Sequence, residues 1–86
     1  DLGSWNSLFD VSPKTEENNV VRGHGLIIDG KNNLIESQNK FTAVIGQNDL
    51  VVVNTDDATL VIPKDQVEKV KAIIQYLEEI KRKDLL

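Results

Sequence analysis

Between Val20 and Ile62 the β-type runs are all short, none longer than five residues, and this most constrains what the chain can fold into. The runs are Val20 to Arg22, Leu26 to Asp29, Leu34 to Ser37, Phe41 to Ile45, Leu50 to Asn54 and Ala58 to Ile62. Turn-forming residues separate them: Gly23 and Gly25, Gly30 to Asn33, Gln38 to Lys40, Gly46 to Asp49, and Thr55 to Asp57. From Leu26 onward the runs start about eight residues apart, which predicts a small all-β sheet, a sandwich or a β-coil. Leu50-Val51-Val52-Val53 is too continuously apolar for a half-exposed strand, so burial on both faces, or cover from a following helix, is expected.

A helix is predicted over residues 65–83. Asp65 reads as its N-cap and Glu68, three residues on, completes a capping box. Val67, Val70, Ile73, Ile74, Leu77 and Ile80 recur with helical period and form one apolar stripe. Glu78 with Arg82, and Glu79 with Lys83, read as acid-before-base pairs on the solvated side. At the other end, Trp5, Leu8 and Phe9 sit at i, i+3 and i+4, so a short helix capped by Ser4 is expected there. A helix this short does not hold in water alone and must pack on something. Pro13 ends it, and Lys14 to Asn19 reads as an exposed polar loop.

Composition removes several function classes. The chain has no Cys, so disulfides, thiolate metal sites and a thiol nucleophile are excluded. Its single His, His24, lies between two glycines and reads as a turn residue. Residues 1–63 hold nine acidic against four basic side chains, and residues 64–86 five against six. An acidic body is a poor electrostatic match for a polyanion, which argues against nucleic-acid binding. No apolar run approaches the roughly 20 residues of a membrane span, so a soluble, cytoplasmic protein with no membrane partner is expected. Asp49, Asp56 and Asp57 lack the spaced loop of a calcium site and read as turn stabilisers.

The two ends carry a more specific signal. Asp1-Leu2-Gly3-Ser4-Trp5-Asn6-Ser7-Leu8-Phe9-Asp10-Val11 resembles the close of the catalytic domain in the bacterial mannose-1-phosphate guanylyltransferase family. Leu50-Val51-Val52-Val53-Asn54-Thr55-Asp56-Asp57-Ala58-Thr59-Leu60-Val61, followed by Gln66 to Ile74, resembles the same family's C-terminal segment. Val20 to Asp29, with Lys31-Asn32-Asn33, follows the pattern more loosely, and the chain departs from it at Asn54, where the family commonly has Asp, and at Gly23-His24-Gly25, where it often has Gly-Asp-Val.

The resemblance implies that residues 1–13 end a nucleotidyltransferase domain, 14–19 form a linker, and 20–86 form a short left-handed β-helix-like module with a closing helix. Periodicity alone yields only short strands and a helix, and leaves an open sheet as an alternative. The chain has no Met, so further sequence is expected before Asp1. The parent would transfer guanylate from GTP to mannose 1-phosphate, releasing pyrophosphate, with Mg²⁺ as cofactor. The Asp of the Asp-x-Gly-Ser-Trp motif is a metal ligand in the family, and this role transfers to Asp1. No other catalytic residue is expected in this chain, which is predicted to be inactive alone. Its module would pack on the upstream catalytic domain and support a homodimer. Alternatives are a non-catalytic β-helical interaction domain or part of a related sugar nucleotide pyrophosphorylase.

Overall fold

A computed structural model describes residues 4–85, with the Ser4 side chain outside that description. Helix α1 (Ser4–Val11) leads into four strands, β1 (Val20–Ile28), β2 (Leu34–Ile45), β3 (Leu50–Asn54) and β4 (Thr59–Pro63). A 3₁₀ segment (Lys64–Lys69), helix α2 (Val70–Glu79) and a 3₁₀ turn (Lys83–Leu85) close the chain. The strands form one sheet in the order β1-β2-β3-β4.

Adjacent strands β1, β2 and β3 run parallel, and only β4 turns back antiparallel against β3. Parallel neighbours in direct succession, without crossover helices, require the chain to coil. Val20 lies beside Leu34 and Leu34 beside Val51, so one turn of the coil takes 14 residues and the next takes 17. The difference is local. In β1 only His24 separates Gly23, which pairs with Ser37, from Gly25, which pairs with Thr42. In β2 Gln38 to Phe41 fill the same corner, three residues more. Two predicted runs therefore merge into each of β1 and β2, bent at this corner. Gly23 makes the tight first corner with φ of +90°, and a Cβ there would collide with the Ser37 carbonyl.

The bend produces three layers. On one side of the first arm, Val20, Leu34, Val51 and Ile62 pack against Phe9 of α1 and Val70 of α2. On the other, Ile35 and Val52 pack against Val44 and Ile27 of the second arm. Leu34 and Val51 have no solvent exposure, and Val52 is also buried. The double-sided burial expected of Leu50 to Val53 is thus borne out for Val51 and Val52. Inside the coil Val21, Ile35 and Val52 stack, and Val21 alone of the three is open, at 37%, because β1 is the sheet's first strand.

The C-terminal helix departs from expectation. Asp65 makes no side-chain capping bond and falls in the 3₁₀ segment, which is kinked at Gln66. In a 3₁₀ turn residues i and i+3 eclipse, which lets Val67 and Val70 both face the coil. Helix α2 ends at Glu79 rather than 83, in a Schellman arrangement. The Arg82 N–H donates to the Leu77 carbonyl, the Lys81 N–H donates to the Glu78 carbonyl, and Lys81 takes φ of +60°. Arg82 therefore lies past the helix and pairs with Asp84 at 2.9 Å. Their hydrogen bond raises the Arg82 pKa and lowers that of Asp84. The Glu78–Arg82 and Glu79–Lys83 pairs do not form among the described residues.

Candidate functional site

Two ladders of polar side chains hold the corners of the coil. Asn19 and Asn33, 14 residues apart, occupy equivalent buried positions just before Val20 and Leu34. Asn19 donates through Nδ2 to the Gly30 carbonyl and accepts at Oδ1 from the Asn33 N–H, both at 2.9 Å. Asn33 repeats the pattern one turn on: Nδ2 donates to the Gln47 carbonyl at 2.8 Å, and Oδ1 accepts from the Leu50 N–H at 2.9 Å. Each amide satisfies backbone groups that the bend removes from the sheet ladder. The expected polar loop of Lys14 to Asn19 thus ends inside the coil, since Asn19 is buried.

The second ladder lies one residue earlier. Asn18, Asn32 and Asp49 all take left-handed backbone, with φ of 63°, 62° and 60°. Asn and Asp tolerate this region better than other non-glycine residues. Asn18 Nδ2 donates to Asn32 Oδ1 at 2.9 Å, and Asn32 Nδ2 donates to Asp49 Oδ1. Sequence reasoning missed both ladders. The available signal was the recurrence Asn18-Asn19-Val20 and Asn32-Asn33-Leu34.

Helix α1 meets this corner through Lys64. The Lys64 ammonium lies 3.0 Å from the centroid of the buried Phe9 ring and donates to Asn32 Oδ1 at 2.9 Å. Burial of the ammonium lowers the Lys64 pKa, opposed by the charges of Asp49 and Asp10, with Lys14 adding to the lowering. Trp5 and Phe9 pack on the coil on the face expected of them.

Asp1, the expected metal ligand, lies outside the described residues. Among the described residues no group of three or more His, Cys, Asp or Glu is placed to hold a metal ion. His24 is exposed and, instead of sitting in a turn between two strands, lies within β1, where the register shifts between Gly23 and Gly25. Asp49 accepts its bond in the asparagine corner, and Asp56 accepts at 2.9 Å from Asn39 across to the neighbouring turn, so both serve turns. The two buried serines have carbonyl acceptors rather than a base: Ser12 Oγ donates to Leu8, and Ser37 Oγ to Lys40. A groove of about 360 Å³ lies between Trp5, Val53, Leu60, Val70, Ile74 and Leu77, and its lining is predominantly apolar. These described side chains can pack and register a coil, and they bring no nucleophile to a base.

Parallel bent strands, stacked turn on turn and closed by helices on one side, define a short β-helix domain. The chain belongs to the family of the MannoseP isomerase/GMP-like beta-helix domain, whose model matches residues 18–77. It is 43% identical over 84 residues to a mannose-1-phosphate guanylyltransferase of Salmonella muenchen, covering 98% of this chain and 18% of that protein. It is 45% identical over 78 residues to mannose-1-phosphate guanylyltransferase 2 of Escherichia coli O157:H7, covering 91% of this chain and 16% of that one. The alginate biosynthesis protein AlgA of Pseudomonas aeruginosa is 41% identical, again over 91% of this chain and 16% of its own length. Among solved structures, mannose-1-phosphate geranyltransferase from Thermus thermophilus superposes with a TM-score of 0.77 at 29% identity, covering 86% of this chain and 23% of that one. The chain spans less than a fifth of the length of these curated relatives.

Proposed function

We propose that this chain is the C-terminal part of a mannose-1-phosphate guanylyltransferase that makes GDP-mannose and pyrophosphate from GTP and mannose 1-phosphate in the cytoplasm. The observation that carries the reading is the 98% coverage at 43% identity, which extends past the β-helix to the segment bearing Asp-x-Gly-Ser-Trp. In the proposed reaction a phosphate oxygen of mannose 1-phosphate attacks the α-phosphorus of GTP, and the bond to the pyrophosphate leaving group breaks. Residues 1–13 end the catalytic domain, 14–19 link it, and 20–86 form the module that packs on that domain and supports a homodimer. Mg²⁺ takes oxygen ligands, usually one or two protein carboxylates with phosphates, and supplies charge stabilisation on the phosphates when bound. Asp1 is the carboxylate this chain would bring. The described residues do not form a metal site by themselves.

A second reading, a non-catalytic β-helical interaction domain, draws support from the outer face of the second arm. Leu26, Ile28 and Ile45 are all exposed there. The coding sequence upstream of Asp1 separates the two. A preceding α/β domain with a glycine-rich, Arg-containing phosphate loop, and GDP-mannose formation by the longer protein, would support the enzyme. A start codon immediately before Asp1 would leave the interaction domain.

A further inference from the structure

Helix α1 has eight residues, and its one buried aromatic ring, Phe9, carries a cation on its face. Three contacts fix Lys64, two of them at its ammonium. Beneath it is the Phe9 ring, and beside it at 2.9 Å is Asn32 Oδ1. Its own backbone N–H donates to the Asp49 carbonyl at 2.8 Å, so the stem starts from the left-handed corner. Asn32 is also the middle member of the outer ladder, accepting from Asn18 and donating to Asp49. The ammonium therefore touches α1 on one side and, on the other, a corner that exists only when three successive turns of the coil are stacked.

We propose that Lys64 is a latch that seats α1 on the β-helix, and that it does so only once the Asn18-Asn32-Asp49 corner is assembled. A cation partly withdrawn from water binds an aromatic face more strongly than an exposed one, and burial already weighs on this ammonium. Asn32 fixes the ammonium over the ring, and Asp49 and Asp10 lie near enough to favour its charge. Lys14, 4.9 Å from the same ring centroid, donates to the Asp10 and Ser12 carbonyls and holds the C-terminal end of α1. If the proposed function holds, α1 is the last helix of the catalytic portion, and the latch then sets where that portion sits on the β-helix. The latch itself stands on the present chain and involves no catalysis.

The test uses the 86-residue chain, in which Trp5 is the only tryptophan and packs beside Phe9's cluster, so its emission reports the docking of α1. Lys64→Met keeps an aliphatic stem and removes the charge. The expected result is a red shift of Trp5 emission and about tenfold faster amide exchange from Phe9 to Ser12. The amides of Ile35 and Val52 should keep their protection. Unchanged Trp5 emission in Lys64→Met overturns the latch. Equal loss of protection at Ile35 and Val52 also overturns it, because Lys64 would then support the coil as a whole. Asn32→Gly removes Oδ1 and relieves the left-handed backbone. It should loosen α1 in the same way, and α1 docked as in the unsubstituted chain would break the link to the corner. Failure of the guanylyltransferase reading would leave each of these outcomes in place.

Discussion

At the scale of single residues, the coil depends on side chains that replace backbone partners. Asn33 is fully buried and serves one N–H and one carbonyl, from Leu50 and Gln47, that no strand reaches. Asn33→Ala orphans both and is expected to cost about 2–4 kcal/mol, read as a lower urea midpoint at unchanged slope. A loss below about 1 kcal/mol would show that water replaces the amide at that corner. Neither asparagine stands out by residue type, since Asn in a turn-rich stretch is ordinary. Their repeated spacing carried the information, and it becomes legible only once the stacking is known.

Among the elements, α2 shows most clearly how contacts override a local pattern. The apolar stripe holds at Val67 and Val70, which are buried, whereas Ile73 and Ile80 remain about half exposed. Ile74, one residue past Ile73, still packs on the core, so Ile73 and Ile80, seven residues apart, lie on the edge of the stripe turned away from it. The helix stops where Lys81 enters left-handed backbone, a position that costs a non-glycine residue roughly 1 kcal/mol or more. Lys81→Gly is accordingly expected to stabilise the chain by about 1 kcal/mol, seen as a rise in the thermal midpoint. A lower midpoint would mean that the helix does not terminate there. The same element explains the absent Glu78–Arg82 and Glu79–Lys83 pairs, which require helical geometry that both basic residues lack.

For the whole molecule, one side of the β-helix is covered by helices and the other is open. Leu34→Ala, in the covered layer, should cost about 2–5 kcal/mol, whereas Ile45→Thr on the open face should change stability by no more than about 0.5 kcal/mol. Ile45 is 64% exposed, so comparable losses for the two variants in denaturant titrations would show that the open face is covered in solution. Under the proposed function, the 86-residue chain given GTP, mannose 1-phosphate and Mg²⁺ forms no GDP-mannose, and the longer protein does. In that longer protein Asp1→Ala should lower turnover by roughly 100-fold or more with folding intact, because even indirect metal partners typically cost 10–100-fold. Turnover at the level of the unsubstituted enzyme would remove the metal-ligand role of Asp1.

Several features were determined by the sequence alone. They are the placement of the strand runs, the burial of Val51 and Val52 on opposite sides of β3, and the apolar face of Trp5 and Phe9. Each follows from residue type at short spacing, where local geometry dictates which side chains share a face. Tertiary structure decided that the runs stack in parallel, with turns of 14 and 17 residues, rather than fold into an open sheet. It also decided that Asn19 and Asn33 go inside, that the last helix begins as a 3₁₀ turn, and that Lys64 reaches Phe9. The physical reason is the range of the interactions: backbone pairing joins residues a full turn apart, Lys64 and Phe9 are distant in sequence, and neither leaves a local periodicity to read.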